Sequence, residues 1–248
     1  GPSMSANIRG VGQFDFNPAL EPGVGLYVDD VYFATLTGSL FDLLDLERVE
    51  VLRGPQGTLY GKNTTAGAIN ITTRQPTFDF EGRAEVTVGN LEFKQAKASV
   101  SGPLSDQLAV RLGVSTTSRR GTLYNVRTQR WINEQDNLGF RGHLLFKPND
   151  DFSLTLSGDY SEQEPECCGT VFVRTGLTQR ALARQYDALS AAQNYTVVSR
   201  NPFDRLTDID ASLSAGNKMG GASLRVKWDI GPGTFTSITA WRFWDWTP

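Results

Sequence analysis

The sequence has 248 residues, 39% of them hydrophobic, with 24 Lys and Arg against 27 Asp and Glu and a formal net charge of -3. That balance gives no support for nucleic-acid binding, which favours clustered basic residues and a basic excess. One histidine, His143, and two adjacent cysteines, Cys167 and Cys168, are too few for zinc chemistry or a Ser–His–Asp or Cys–His site, so neither a metal site nor an enzyme is expected. No apolar run reaches the length of a membrane-crossing helix, although this leaves a membrane β-barrel open because its strands alternate.

In chain order, residues up to a seam near Gln75-Pro76 read as short strands and helices joined by glycine. The segment 39–45 (SLFDLLD) predicts a short helix, with Ser39 as N-cap and Asp42 in an imperfect capping box. It leads into an alternating strand over 48–52, and Ile69 and Ile71 alternate with Asn70 and Thr72 in another. Between them lies LRGPQGTLYGKNTTAG, which superficially resembles a phosphate-binding loop. The spacing does not fit: three residues separate Gly57 from Gly61, and Lys62 is followed by Asn63 rather than Ser or Thr. The glycines are better read as backbone devices. Gly54-Pro55 stops the strand, and Gly57, Gly61 and Gly67 are expected to supply positive φ or close backbone approach. Lys62 is then a solvated or wall-facing charge.

Beyond Pro76 the segments are longer and alternate apolar with polar or small residues. Seven strands are expected: 82–89, 93–101, 108–115, 138–147, 152–160, 222–230 and 234–246. Each is taken as long enough for the ~9–11 residues that a tilted bilayer-crossing strand needs. His143 falls in LGFRGHLLF, where a strand-borne polar role outweighs catalysis. Tight turns are expected at 102–107, 147–151 and 230–233, with longer links at 117–133 and about 162–217. Short turns at one end and long loops at the other is an outer-membrane barrel pattern. Trp241, Trp244 and Trp246 fit an interfacial aromatic girdle in that reading. Leu182, Tyr186 and Leu189 recur at helical spacing inside the longest link, predicting a short helix that packs the loop on itself or contacts a ligand.

The run VEVLRGPQGTLYGKNTTAGAINITTRQP resembles the plug signature of TonB-dependent outer-membrane receptors, and IRGVGQ at 8–13, PGVGLYVDDVY at 22–32 and LFDLLDLERVEVLRGP fit the same family. One departure is Asp30, where the family commonly has glycine. The resemblance implies a small α+β plug over residues 1–76, followed by antiparallel transmembrane strands over 77–248, about seven of a barrel of about 22. It implies active uptake of a scarce ligand, such as a ferric siderophore, haem or cobalamin, across the bacterial outer membrane. The implied partners are TonB with its inner-membrane energising complex, outer-membrane lipid and a small-molecule ligand such as an iron chelate. No cofactor and no nucleic-acid partner are expected.

By the same resemblance Arg9 and Arg53 pair with barrel glutamates, and Gln13, Phe14, Asp15 and Phe16 form an apical ligand contact, although a simple structural loop fits them as well. Seven strands fall short of such a barrel, so the sequence is expected to be a middle portion of a larger receptor, lacking the TonB-contacting segment and further strands. Cys167 and Cys168 lie in a loop that would face an oxidising compartment. They either bridge each other or pair with cysteines elsewhere, and a loop-stapling role is preferred. A soluble β-rich ligand-binding module and a passive porin-like barrel are the competing readings. No aromatic or basic cluster in the loops singles out one ligand.

Overall fold

The computed structural model describes residues 6–12, 20–34, 45–176 and 178–247. The predicted helix at 39–45 lies outside the described residues except for Asp45, and Gln13, Phe14, Asp15 and Phe16 lie wholly outside them.

The N-terminal unit begins with a ribbon of β1 (Asn7–Ile8) and β2 (Val11–Gly12), turned at Arg9-Gly10. Strands β3 (Val24–Val28), β4 (Val31–Phe33), β5 (Leu46–Arg53) and β6 (Gly67–Thr73) form a sheet in the order β4-β3-β6-β5. The β3–β6 pair is parallel and central, and every residue of β3 is buried. One face carries the apolar cluster Leu26, Val28, Phe33 and Ile71, with Leu46 and Ile69 against it. Each such burial contributes roughly 1.5–3 kcal/mol, enough to order a small sheet once its strands pair.

The Gly-rich run has its expected backbone role in part. Gly54 and Gly61 have φ of +99° and +83°, and a Cβ on Gly67 would lie 2.2 Å from the Leu52 carbonyl oxygen. Gly57 is the exception: it opens the single helical turn α1 (Gly57–Tyr60) at an ordinary φ, with open space around its Cα. A helix start needs no special φ, so that glycine performs neither expected task. Lys62 bonds Glu21 at 2.8 Å on the surface.

The second part is one antiparallel sheet of β7 (Glu81–Val88), β8 (Lys94–Ser105), β9 (Leu108–Arg119), β12 (Gln135–Phe146), β13 (Phe152–Gln163), β15 (Gly216–Asp229) and β16 (Thr234–Thr247). Their spatial order is their chain order, so the sheet is a meander that does not close on itself. All seven expected strands are present. β7 has 8 residues, one position earlier than the expected 82–89 and short of the ~9–11 a bilayer-crossing strand needs, and β8 runs on through Gly102-Pro103 by way of an irregularity between Pro103 and Ser105. Proline is tolerated at such a break in the ladder.

The longer links carry β10 (Leu123–Asn125), β11 (Arg130–Ile132) and β14 (Leu206–Thr207) in a separate three-stranded sheet. Helix α2 (Tyr186–Ala192) follows a turn of 3-10 helix at Leu182–Arg184. It packs the loop on itself in part: Tyr186 stacks on Phe172 at 5.5 Å, whereas Leu182 and Leu189 are 78% and 51% exposed. Cys167 and Cys168 form a disulfide with each other. A bridge between chain neighbours joins no distant segments, so the preferred loop-stapling role is corrected to a local ring.

Candidate functional site

A period of two places Arg111 (β9), Arg141 and His143 (β12), Ser157 and Asp159 (β13), Arg225 (β15) and Arg242 (β16) on one face of the large sheet. Register gathers them into two rows. Arg111, His143 and Ser157 lie opposite one another, as do Arg141, Asp159, Gly221 and Arg242. Gly221 separates Asp159 from Arg242, and a Cβ there would meet the Arg242 Cδ at 2.8 Å. Its missing side chain lets Arg242 cross the intervening strand and donate to both Asp159 oxygens, at 2.5 and 2.8 Å.

The small sheet presents acids to this face. Asp29 and Asp30 form the β3–β4 turn with φ of +51° and +65°, the left-handed pair that a tight two-residue hairpin requires. Asp tolerates that region because its short side chain bonds nearby backbone. Asp29 is fixed by the Thr73 amide at 2.8 Å and the Thr73 hydroxyl at 2.7 Å, and Arg141 Nη1 approaches it at 3.4 Å. Arg225 donates to the Asp29 carbonyl at 2.9 Å and pairs with Asp30. Thr73 also meets His143 Nε2 at 3.2 Å, and His143 Nδ1 lies 2.8 Å from the Ser157 hydroxyl.

A second contact lies beside the first. Asp45 pairs with Arg111, both side chains below 10% exposure, and Arg74 approaches Asp45 at 3.6 Å. Arg111 also reaches Glu81 at 3.3 Å. The Arg242 guanidinium stands 4.4 Å over the Phe33 ring, adding a cation–π contact between the sheets.

These contacts reverse the expected polarity. Acids on the N-terminal unit meet arginines on the large sheet, whereas Arg9 and Arg53 are exposed and have no ionic partner among the described residues. The missed signal was legible: arginines recur at inner-face positions of four strands, opposite an Asp-Asp turn. His143 is strand-borne and polar as expected, but it is 4% exposed because it also touches the N-terminal unit.

The tryptophans are divided by the same parity. Trp244 and Trp246 share the inner face with Arg242, stacked at 6.1 Å and 9°, and Trp244 Nε1 donates to Asn217. Of the three, Trp241 lies on the outer face, 64% exposed, so they do not form one girdle.

The arrangement suits reversible docking. Charge-assisted contacts hold the small sheet against the large one, and the solvated Asp30–Arg225 pair can exchange its partners for water.

Residues 1–68 match the model of the TonB-dependent Receptor Plug Domain. The pesticin receptor of Yersinia pestis is 43% identical over 104 residues, covering 41% of this chain and 15% of that protein. The ferripyoverdine receptor of Pseudomonas aeruginosa is 30% identical over 158 residues, covering 63% of this chain and 18% of that protein. The chain thus spans less than a fifth of either curated relative. Among solved structures, the ferric yersiniabactin uptake receptor FyuA from Yersinia pestis superposes with a TM-score of 0.72 at 24% identity, covering 91% of this chain and 32% of that one. The pyoverdine outer membrane receptor FpvA from Pseudomonas aeruginosa PAO1 gives 0.67 at 19% identity, covering 90% and 30%. Residues 1–68 therefore carry a TonB-dependent receptor plug domain, and the seven-stranded antiparallel sheet after it shares the fold of the solved receptors.

Proposed function

We propose that this chain serves in the uptake of a ferric siderophore across the bacterial outer membrane, powered through TonB. In this reading residues 1–76 are the plug and 77–248 are barrel wall. The observation that carries it is the seating of the Asp29-Asp30 turn and Asp45 on Arg141, Arg225 and Arg111. A permanently closed wall has no need of ionic contacts, whereas a plug that is displaced and returned needs contacts that hold it and still break. Siderophore is favoured over haem or cobalamin because relatives are named for ferripyoverdine and ferrioxamine B.

Arg9 and Arg53 are proposed to meet barrel carboxylates outside the described residues, and Gln13, Phe14, Asp15 and Phe16 to contact ligand at the plug apex. Gly54, Gly61 and Gly67 shape the plug turns. No residue is assigned a bond-making role.

The test is iron-limited growth of a strain expressing the receptor from its complete gene, supplied with a panel of ferric siderophores. One siderophore should restore growth, and collapse of the inner-membrane proton gradient should abolish its uptake. Uptake that survives the collapse would favour a passive barrel. Receptor recovered in the soluble periplasm without detergent would favour a binding module.

A further inference from the structure

His143 is the one histidine of the sequence, and it lies at the joint between the two sheets without taking part in their ion pairs. It is buried on β12, with Arg111 opposite it on one neighbouring strand and Ser157 on the other. Its two ring nitrogens divide between the two bodies. Nε2 stands 3.2 Å from the Thr73 hydroxyl of the small sheet, and Nδ1 stands 2.8 Å from the Ser157 hydroxyl of the large one.

This geometry assigns the hydrogens. The Thr73 hydroxyl donates its single hydrogen to Asp29 at 2.7 Å, so toward His143 it can only accept. Nε2 therefore carries the ring hydrogen, and Nδ1 accepts from Ser157. One chain of donation runs from Ser157 through His143 and Thr73 to Asp29, which Arg141 also approaches. A second hydrogen, on Nδ1, would turn that acceptor into a donor facing the Ser157 hydrogen and break the chain's direction.

No carboxylate is spare to balance an imidazolium. The cations around His143 are Arg111 of β9, Arg141 of its own strand, Arg225 of β15, Arg242 of β16 and Arg74 beside Thr73. The acids are Asp159 of β13, Glu81 of β7, and Asp29, Asp30 and Asp45 of the small sheet's loops. Each acid is already taken: Asp29 by Arg141, Asp30 by Arg225, Asp45 and Glu81 by Arg111, and Asp159 by Arg242. Among the described residues, five arginines thus match five acids around a neutral ring. An added proton there is a buried charge without a counter-charge, which is costly. In water the same charge is cheap, and imidazole takes it up between about pH 5 and 8.

We propose that His143 is a positioning residue whose neutral ring latches the plug to the wall, and that its protonation favours release of the plug. This rests on the reading of residues 1–76 as a movable plug and adds a proton to what moves it. The sign follows from linkage. The docked seat excludes a proton that the opened seat accepts, so falling pH shifts the balance toward release and rising pH toward docking.

The test is urea titration of the full-length receptor in detergent, with plug release read from the mobility of a nitroxide on Lys62→Cys. Linkage of one proton allows up to about tenfold per pH unit. On going from about pH 7.5 to about pH 5, the released-to-docked ratio at fixed urea should rise about tenfold more in the protein with His143 than in His143→Gln. Glutamine can still donate to Thr73 and takes no proton, and the carboxylates are the same in both proteins, so the difference belongs to His143. Equal pH dependence in the two, or tighter docking at the lower pH with His143 in place, would overturn the proposal. A second measurement needs no change at position 143: exchange of the His143 ring C2 hydrogen, followed by mass spectrometry, tracks its protonation. An imidazole that takes its proton while the nitroxide reports a seated plug would likewise overturn the latch. Release that occurs only together with unfolding of the wall strands, at either pH, would remove the movable-plug reading and the latch with it.

Discussion

Two of the acidic contacts between the plug and the large sheet differ in their access to water. Asp45–Arg111 has side chains 9% and 6% exposed, whereas Asp30–Arg225 has side chains 50% and 36% exposed. The first is an anchor, because removing one partner leaves a charge in a dry place. The second is a clasp, because water can replace either partner at small cost.

The comparison is most sharply tested at the anchor. Arg111→Met in the full-length receptor should destabilise the folded state by about 3–5 kcal/mol, read from denaturant unfolding in detergent. A loss below about 1 kcal/mol would remove the distinction between the two contacts. Gly67→Ala, in the plug but away from the wall, should cost on the order of 1–3 kcal/mol by overpacking, since its Cβ would press on the Leu52 carbonyl. That variant separates damage to the plug from damage to its seat: the plug should unfold more readily while the wall strands keep their protection from hydrogen exchange.

At the clasp, Asp30→Gly should cost no more than about 1 kcal/mol, because the pair is well solvated and glycine accepts the positive φ there. Its effect should appear in transport. A looser turn should sensitise cells to bulky antibiotics that the outer membrane normally excludes, and unchanged resistance would argue that the clasp carries no load.

The smallest effect belongs to Glu21 and Lys62, fully exposed on the plug surface. The Lys62 bond holds the Glu21 carboxyl below its usual range, and Glu21 holds the Lys62 ammonium above its own. The pair therefore acts through the neutral range, and is lost as pH falls through the lowered Glu21 value or rises through the raised Lys62 value. Lys62→Ala should leave siderophore uptake at pH 7 unchanged, and nucleotide binding dependent on Lys62 would reopen the phosphate-loop reading.

Much of the wall was legible because a strand's period of two is a local property. Leu138, Phe140, Leu144 and Phe146 lie on one face and Arg141 and His143 on the other, as their alternation implies. The same rule applied to β16 would have divided Trp244 and Trp246 from Trp241, but clustering along the chain obscured their parity. The acidic seat was not read from the sequence because Asp29, Asp30 and Asp45 gain their role from what faces them, whereas Arg9 and Arg53 stand in recognisable motifs. Asp30 stood out only as a departure from glycine. The structure adds that its carboxylate reaches Arg225, 195 residues away.

By itself the sequence determined that seven segments alternate and which residues share a face of each strand, because side-chain periodicity and turn chemistry act over a few residues; the plug before them was read from the resemblance of its motifs. Only the tertiary structure decided which arginine meets which aspartate, that Gly221 opens the way from Arg242 to Asp159, and that the cysteines close on each other. These depend on strand register and on how two separately patterned units meet, where a contact is set by geometry rather than by distance along the chain.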